Sequence, residues 1–593
     1  MGLCDLTRDV LEHMLVHFGG AREAASLART CREMREVVMG GGGVRGGILG
    51  GWARQRREDD VLPEGIGGVG GVVTIYGVVR MTREVRVGPG VHLTVRGGRI
   101  VNSIGRASDE DSDSDSDYED EEPPYAFVVE QGGSLVLEDV RMVGADGGRG
   151  WWAGVRVSGG GTARLVGCDV RNAEWDAIVV GDQGSRVQVE GGSVSVSGPT
   201  GYDGPHGIIV KDGAHAVVTG VQMTGSVLVR DSDSVVEIVG GSVTGVGPED
   251  GHGISVENGG TARLVGCNVL DAPDDGVHVA GQGSRVQVEG GSVSRSGNYG
   301  ISVQRGGHAE MKDVRIEDNH GGGVYVGDGG AYYSGVAGQG SRAVVEGGSV
   351  RGTRAIGISV WRGGHAEMKG VRVEGTRTGV CVRDPGSQVE IVDGSVTGCA
   401  CEGIVARAGG HARMKAVRVE GNKKCGVFVD GQVHGDIRGP RTTRAEAEGG
   451  SVSGSGCYGI RAGHGGHAVM KDVRVEDSQW SGVYVYGQGS RVEVEGGSVS
   501  GSGDSGICAE QGGHAVVKGV RVKDNDRHGV YVIGSRARVE VEGGSVSGSK
   551  EYHGICARLG AHAAVKDVQV RDNGGGIVKS EGGVVTVDGL PMM

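Results

Sequence analysis

From about residue 70 onward, apolar and polar positions alternate in runs of only three to five residues. In one such stretch Ala468, Met470, Val473 and Val475 are separated by His467, Val469, Lys471 and Arg474, and the phase slips at Asp472. Alternation with a period of two puts successive side chains on opposite faces of an extended strand, so each run predicts a short strand with one buried face. The Gly, Asn and Asp residues between the runs predict tight turns, and the slip at Asp472 predicts a corner.

The pattern repeats. A Gly-Gly-His-Ala phrase recurs with its His at His308, His365, His411, His467 and His514, with variants at Thr162, His215, Thr261 and His562. A second phrase, Gly-Gly-Ser-Val, recurs with its Ser at Ser193, Ser242, Ser292, Ser349, Ser451, Ser498 and Ser545, and Asp393-Gly394-Ser395 fills the missing place. The cleanest His spacings are 46 or 47, so the unit is two related turns of roughly 23 residues each. Short strands that cannot bury their faces singly become stable when turns stack in parallel and their inward side chains form columns. The predicted fold is mostly β: a right-handed parallel β-helix over 71–588 with about 22 coils. Its narrow interior suits Val, Ile and Ala, which accounts for only 3 Phe in 593 residues.

The outward positions agree with that register. Four residues after each phrase His stands a Lys (Lys312, Lys369, Lys415, Lys471, Lys518, Lys566), and the matching place in the alternate turn is Glu (Glu289, Glu346, Glu448, Glu495, Glu542). Stacked turns would make these a Glu–Lys ladder. An exposed pair contributes at most about 1 kcal/mol, but a slip of one coil would set Lys against Lys. The period is broken by insertions at 327–335 and 433–443. Each follows a Gly-Val-aromatic-Val strand, so both should leave from one side of the stack, the side on which solenoids commonly bind. The aromatic residues of those strands, Tyr325, Trp361, Phe428, Tyr484 and Tyr531, together with nearby Trp480, should point outward and are the expected client-binding residues.

The first 39 residues have a different period. Val10, Leu11, Met14, Leu15 and Phe18 follow helical spacing, Gly19-Gly20 ends that helix, and Ala24, Leu27, Ala28, Cys31 and Met34 continue on a second. So little chain buries little surface and needs a partner. Residues 40–70, rich in Gly, read as a linker. The stretch Leu6-Thr7-Arg8-Asp9-Val10-Leu11, then Met14-Leu15, then Ser26 to Arg32 with Arg35 and Val37-Val38, resembles an F-box. It departs from that family at Thr7 (usually Pro), Thr30 (usually Val) and Met34 (usually Trp). An F-box ahead of parallel β-helix repeats is similar to the substrate receptors of cullin–RING ubiquitin ligases. That resemblance implies an adaptor-binding surface at Leu6, Asp9, Val10, Leu11, Met14, Leu15, Leu27, Cys31 and Arg32, a client protein held by the β-helix, and no catalysis by this chain. The alternatives are a carbohydrate-binding or carbohydrate-modifying β-helix, or a rigid structural or virion protein, with the N-terminal helices as a cap.

Charge adds one segment. Residues 108–122 hold ten Asp or Glu and no base, and without them the net charge of −14 falls to about −4. A loop of that composition, 106–123, cannot bury a core and is expected to be disordered. Ser112, Ser114 and Ser116 lie among its acids as candidate phosphorylation sites. Lacking a basic field, the chain offers no nucleic-acid surface. It also lacks an 18-residue apolar run and a basic-then-apolar leader, so a soluble cytoplasmic protein is expected, with the nucleus open to it and no membrane partner. Eleven scattered Cys predict free thiols.

Parallel β-helices also host sugar-active enzymes, so catalytic patterns need weighing. Gly251-His252-Gly253 resembles the Gly-His-Gly of polygalacturonase-type glycosidases, and Asp274-Asp275 their Asp-Asp pair in inverted order. The same slot elsewhere holds His206, Tyr299, Ile356, Glu402, Tyr458, Ser505 and His553, which reads as a variable turn position. Cys399, Cys401, Cys425 and Cys457 fall in nearly one place on successive coils and read as thiols capping a turn. No catalytic residue, metal or cofactor is assigned.

Overall fold

A computed structural model describes residues 71–75, 78–81, 84–102, 125–144, 153–197, 205–245, 251–327, 340–432, 442–549 and 551–592. The F-box-like segment 1–39, the linker 40–70, the acidic loop 106–123 with Ser112, Ser114 and Ser116, and most of both insertions lie outside the described residues. The described residues contain no helix. The chain divides into two compact units, 1–287 and 288–593.

Both units use one plan. In the second, His467–Lys471, Arg474–Glu476 and Val483–Tyr486 make one turn. Each pairs in parallel with its counterpart in the next turn: His467 with Arg491, Arg474 with Ser498 and Val483 with Ile507. In the first, Thr162–Val166 pairs with Arg186–Glu190, Asp169 with Ser193 and Ile178 with Ile208, again in parallel. Three parallel sheets therefore wrap each unit, and the first strand of every turn belongs to the first sheet, the second to the second and the third to the third. Sixty described strands up to Ser580 in sets of three make twenty turns, against the 22 expected. Dividing the whole span by a turn length ignores the residues that insertions consume.

The alternation that predicts the strands is the alternation that buries them. Ala468, Met470, Val473 and Val475 are all at most 2% exposed, and their neighbours face out. Asp472 takes φ 52°, the left-handed conformation that turns the corner between the first and second sheets. Asp and Asn reach that region at lower cost than bulkier residues.

Two polar ladders, not foreseen from the pattern, lie at the other corners. Gly465 donates its N–H to Ser490 Oγ at 2.9 Å, and Gly259 to Ser284 Oγ at 3.0 Å. At the corner between the second and third sheets, Asn525 Oδ1 accepts the N–H of Ser502 at 3.1 Å and Asn422 Oδ1 that of Cys399 at 3.0 Å. These side chains are buried and supply the partners that turn backbones need once water is excluded. The sequence conceals them because Ser, Thr, Asn and Cys alternate in one slot.

The expected Glu–Lys ladder is present over most of the second unit. Lys312, Glu346 and Lys369 are successive register partners, as are Lys415, Glu448, Lys471, Glu495, Lys518, Glu542 and Lys566. Lys566 Nζ lies 2.8 Å from Glu542 Oε1. Val392 interrupts it in the turn whose phrase is Asp-Gly-Ser.

Candidate functional site

The residues expected to hold a client lie on or beside the third sheet of the second unit, Trp480 in the turn that leads into Val483–Tyr486, but they do not form an exposed row. Tyr325, Phe428, Tyr484 and Tyr531 occupy one outward register column, with Ser359, Cys381, Val405, Arg461 and Cys508 between them. Trp361 stands at the end of its strand. Turns stack too closely for a large ring to stand alone, so rings lean on neighbours and collect in three groups.

Around Tyr325 the ring is covered. Tyr299 packs at 5.0 Å and Trp361 at 5.6 Å edge-on, leaving Tyr325 5% exposed. Arg383 lays its guanidinium 3.5 Å from the Trp361 ring centre. The expectation of two exposed rings is corrected here: Tyr325 is buried and Trp361 is half-covered by a cation.

The second group is the open one. Tyr458 stacks on Tyr484 at 4.2 Å with 9° between planes and meets Trp480 edge-on at 5.1 Å. Trp480 is 51% exposed. Arg461 lies between rings, 5.0 Å from Phe428, 5.6 Å from Tyr458 and 4.8 Å from Tyr486. Tyr484 donates its hydroxyl to Glu510 at 2.7 Å, and Tyr486 meets His464, which is 2.9 Å from Asp430. Burial pushes the Tyr458 phenol up to about 12, and burial together with Glu510 pushes Tyr484 up as well, so both remain neutral donors. The outcome is a rigid ledge of rings around one guanidinium, with Trp480 standing clear of it.

In the third group Tyr531 stacks on His528 at 4.7 Å with 12° between planes, and Tyr552 and His553 close around the same imidazole. The N–H of His553 donates to His528 Nδ1 at 3.3 Å. Burial pulls the His528 pKa down to about 4, so the ring is neutral.

Sequence reasoning missed Tyr299, Tyr458, Arg461 and His528. Tyr299 and Tyr458 sit in the slot treated as a variable turn position, and His528 occupies the equivalent place one turn before His553. That slot is the place from which a ring reaches over the outward column, and its aromatic occupants could have been paired with the aromatic one turn on. Both insertions do follow strands of this third sheet, Gly322–Gly327 and Val427–Asp430, as expected.

In the first unit the same slot brings His252 within 3.4 Å of Asp274 and 3.9 Å of Asp275. The four Cys read as turn caps are consistent with that role: Cys399 and Cys425 are buried, and burial holds both thiols above their ordinary value, Cys425 at about 11. The repeating His residues alternate with Arg on the first sheet and pair with Glu, as in His365–Glu367 at 3.1 Å and His467–Glu493 at 3.2 Å.

Compared with known proteins, the chain matches the family model described as "Right handed beta helix region" over residues 153–334 and 441–589. No curated protein matches it. Among solved structures, the TibC-catalysed hyper-glycosylated TibA55–350 fragment aligns at 15% identity, covering 76% of this chain and 97% of that one, with a TM-score of 0.22.

Proposed function

The chain belongs to the right-handed β-helix family, and from that premise we propose that it is a non-catalytic receptor whose third-sheet ledge holds a client protein. The observation that carries this reading is Trp480, half-exposed and braced edge-on by Tyr458 beside Tyr484 and Arg461. An exposed indole continuous with other rings makes an apolar patch of the kind that marks interaction sites. Trp, Tyr and Arg on a rigid support are the residues that dominate protein–protein binding energy, because they bury much area and lose little side-chain freedom.

In the fuller form of the proposal, residues 1–39 dock an F-box adaptor through Leu11, Leu15 and their neighbours, so that a client on the ledge is delivered to a cullin–RING ligase. That part rests on the resemblance of the sequence. Covalent chemistry would belong to the other subunits. A second reading is favoured by the same ring: an indole beside a phenol also stacks on a sugar face.

Two measurements on the full chain decide between them. Co-purification with the adaptor is expected for the wild type and is expected to be lost in Leu11→Asp and Leu15→Asp, while Trp480→Ala retains it. A glycan array probed with the same protein is expected to be blank. No co-purification of the wild type with the adaptor would remove the ligase reading, and binding that survives both Leu substitutions would remove the F-box surface. Glycan binding that Trp480→Ala reduces at least tenfold would establish the second.

A further inference from the structure

The first unit carries a side-chain group that the receptor reading does not use. His252 occupies the slot before Gly253, and the next turn places Asp275 in the corresponding slot with His278 three residues later on the strand Val277–Ala280. The imidazoles of His252 and His278 lie parallel, 4.1 Å apart with 1° between planes. Asp275, 1% exposed, directs one carboxylate oxygen at both rings: Oδ2 is 3.1 Å from His278 Nδ1 and 3.9 Å from His252 Nδ1. Asp274 Oδ2 is 3.4 Å from the same His252 nitrogen.

We propose that His252, Asp275 and His278 form a binding site for a divalent transition-metal ion, zinc foremost, with Asp274 or water in the fourth position. Two imidazole nitrogens and a carboxylate oxygen lie within 4.8 Å of one another. A tetrahedral zinc ion with bonds near 2.0–2.1 Å sets its ligand atoms about 3.3 Å apart. His278–Asp275 and His252–Asp274 already stand at about that spacing; the His252–Asp275 edge has to close from 3.9 Å, and the parallel rings have to turn so that both in-plane lone pairs meet at the ion. Imidazole ligation selects zinc, copper, nickel or cobalt over magnesium and calcium, which take oxygen. His252 Nδ1 accepts the backbone N–H of Asp275 only at 3.4 Å, a long hydrogen bond that ligation of a metal by this nitrogen would replace.

The chain supplies its own comparison. His206 occupies the equivalent slot earlier in the unit and pairs with Asp176 at 3.0 Å. Among the described residues no second imidazole or thiol completes a group of three there. A His–Asp pair alone offers only two ligands. The added His278 is what turns the arrangement into a three-ligand set, with His278 on the strand Val277–Ala280 and His252 and Asp275 in the segments that lead into adjacent strands.

The experiment is zinc chloride titration of the full chain, stripped with chelator, followed by calorimetry, with cobalt(II) absorption as a second readout. The wild type is expected to take up one equivalent more than His278→Ala or His252→Ala, and His206→Ala is expected to match the wild type. The cobalt spectrum of that equivalent should lack a thiolate charge-transfer band, which separates it from the cysteines. Asp275→Asn, which preserves shape, is expected to keep the metal-free melting temperature within a few degrees and to lose the rise on adding zinc. No uptake by the wild type, or uptake by His278→Ala with unchanged stoichiometry and affinity, would overturn the site. A melting temperature that falls in Asp275→Asn while zinc leaves the wild type unchanged would show a structural ion pair in its place. The test is independent of whether the ledge binds protein or sugar.

Discussion

His528→Phe is expected to remove most of the acid sensitivity of the turns around residue 528. In the native protein the His528 imidazole is 9% exposed, stacked on Tyr531, and accepts the N–H of His553, and burial pulls its pKa to about 4. Unfolded, the same ring titrates near 6.5. Between those values the unfolded chain binds the extra proton, so stability falls as pH is lowered from about 6.5 towards 4. The contribution is fully present above pH 6.5. At pH 5 the loss from this one ring would reach at most about 2 kcal/mol, and less where water from the Tyr552 side screens the charge. Phe keeps the stack with Tyr531 and has nothing to protonate, although it leaves the His553 N–H without its acceptor and so lowers stability at pH 7. The measurement is the urea midpoint at pH 7 and pH 5. The wild-type midpoint should drop clearly between the two, and the variant should show a smaller drop from a lower start. Equal drops in both proteins would mean that His528 is charged in the fold.

A second acid effect runs in the same direction from the first sheet. His365 and Arg342 hold the Glu367 carboxylate below its ordinary value, and Arg491 and His467 do the same for Glu493, in each case against burial. Stability from such carboxylates is complete above their unfolded pKa near 4.3 and is lost as pH falls through the lower folded value. These groups are partly exposed to water that screens the charges, so each contributes little. Their loss falls below pH 4.3, outside the window in which His528 acts.

The strand plan was legible because a single residue type decides each inward position. Ala468, Met470, Val473 and Val475 announce their face by being apolar, and Asp472 announces the corner by tolerating a left-handed backbone. The site was legible only in part. Tyr484 and Trp480 stand out as aromatics, whereas the residues that brace them do so from the adjacent turn. Tyr458 supports Tyr484 and Trp480 across a gap in sequence of more than twenty residues, and the pattern of a single strand does not contain that relation. The polar ladders were hidden for another reason: Asn525 and Ser502 are neighbours in space, yet each alone reads as an ordinary loop residue. His278 was passed over because it stands at an outward strand position, where a single His is normally unremarked. It gains meaning only once the turn before it places His252 against its face.

The glycine at the start of the third-sheet strands of the second unit poses the same problem, and substituting it is expected to be among the most damaging single changes there. Gly482 does not have a positive φ, so backbone freedom is not what it supplies. A Cβ there would lie 2.4 Å from Val499 Cγ1, 2.8 Å from Ser502 Oγ and 2.9 Å from the carbonyl oxygen of Gly506. All three belong to the following turn. Relief would require moving its backbone, which its own register partners hold. Overpacking a core costs about 1–3 kcal/mol where side chains can yield, and Gly482→Val is expected to reach or exceed the top of that range, with Gly482→Ala close behind. Gly465 is the contrasting case: its φ is +85°, and a Cβ there meets nothing within 4 Å. Gly465→Ala should therefore incur only the left-handed backbone penalty of about 1–2 kcal/mol. Because stacked turns can also open locally, the readout is hydrogen exchange of the strands Val483–Tyr486 and Ile507–Glu510. Exchange in both strands is expected to accelerate by two orders of magnitude or more in Gly482→Val, and to a smaller extent in Gly465→Ala. The reverse order would mean that turn conformation, and not the closeness of one coil to the next, sets the stability of this stack.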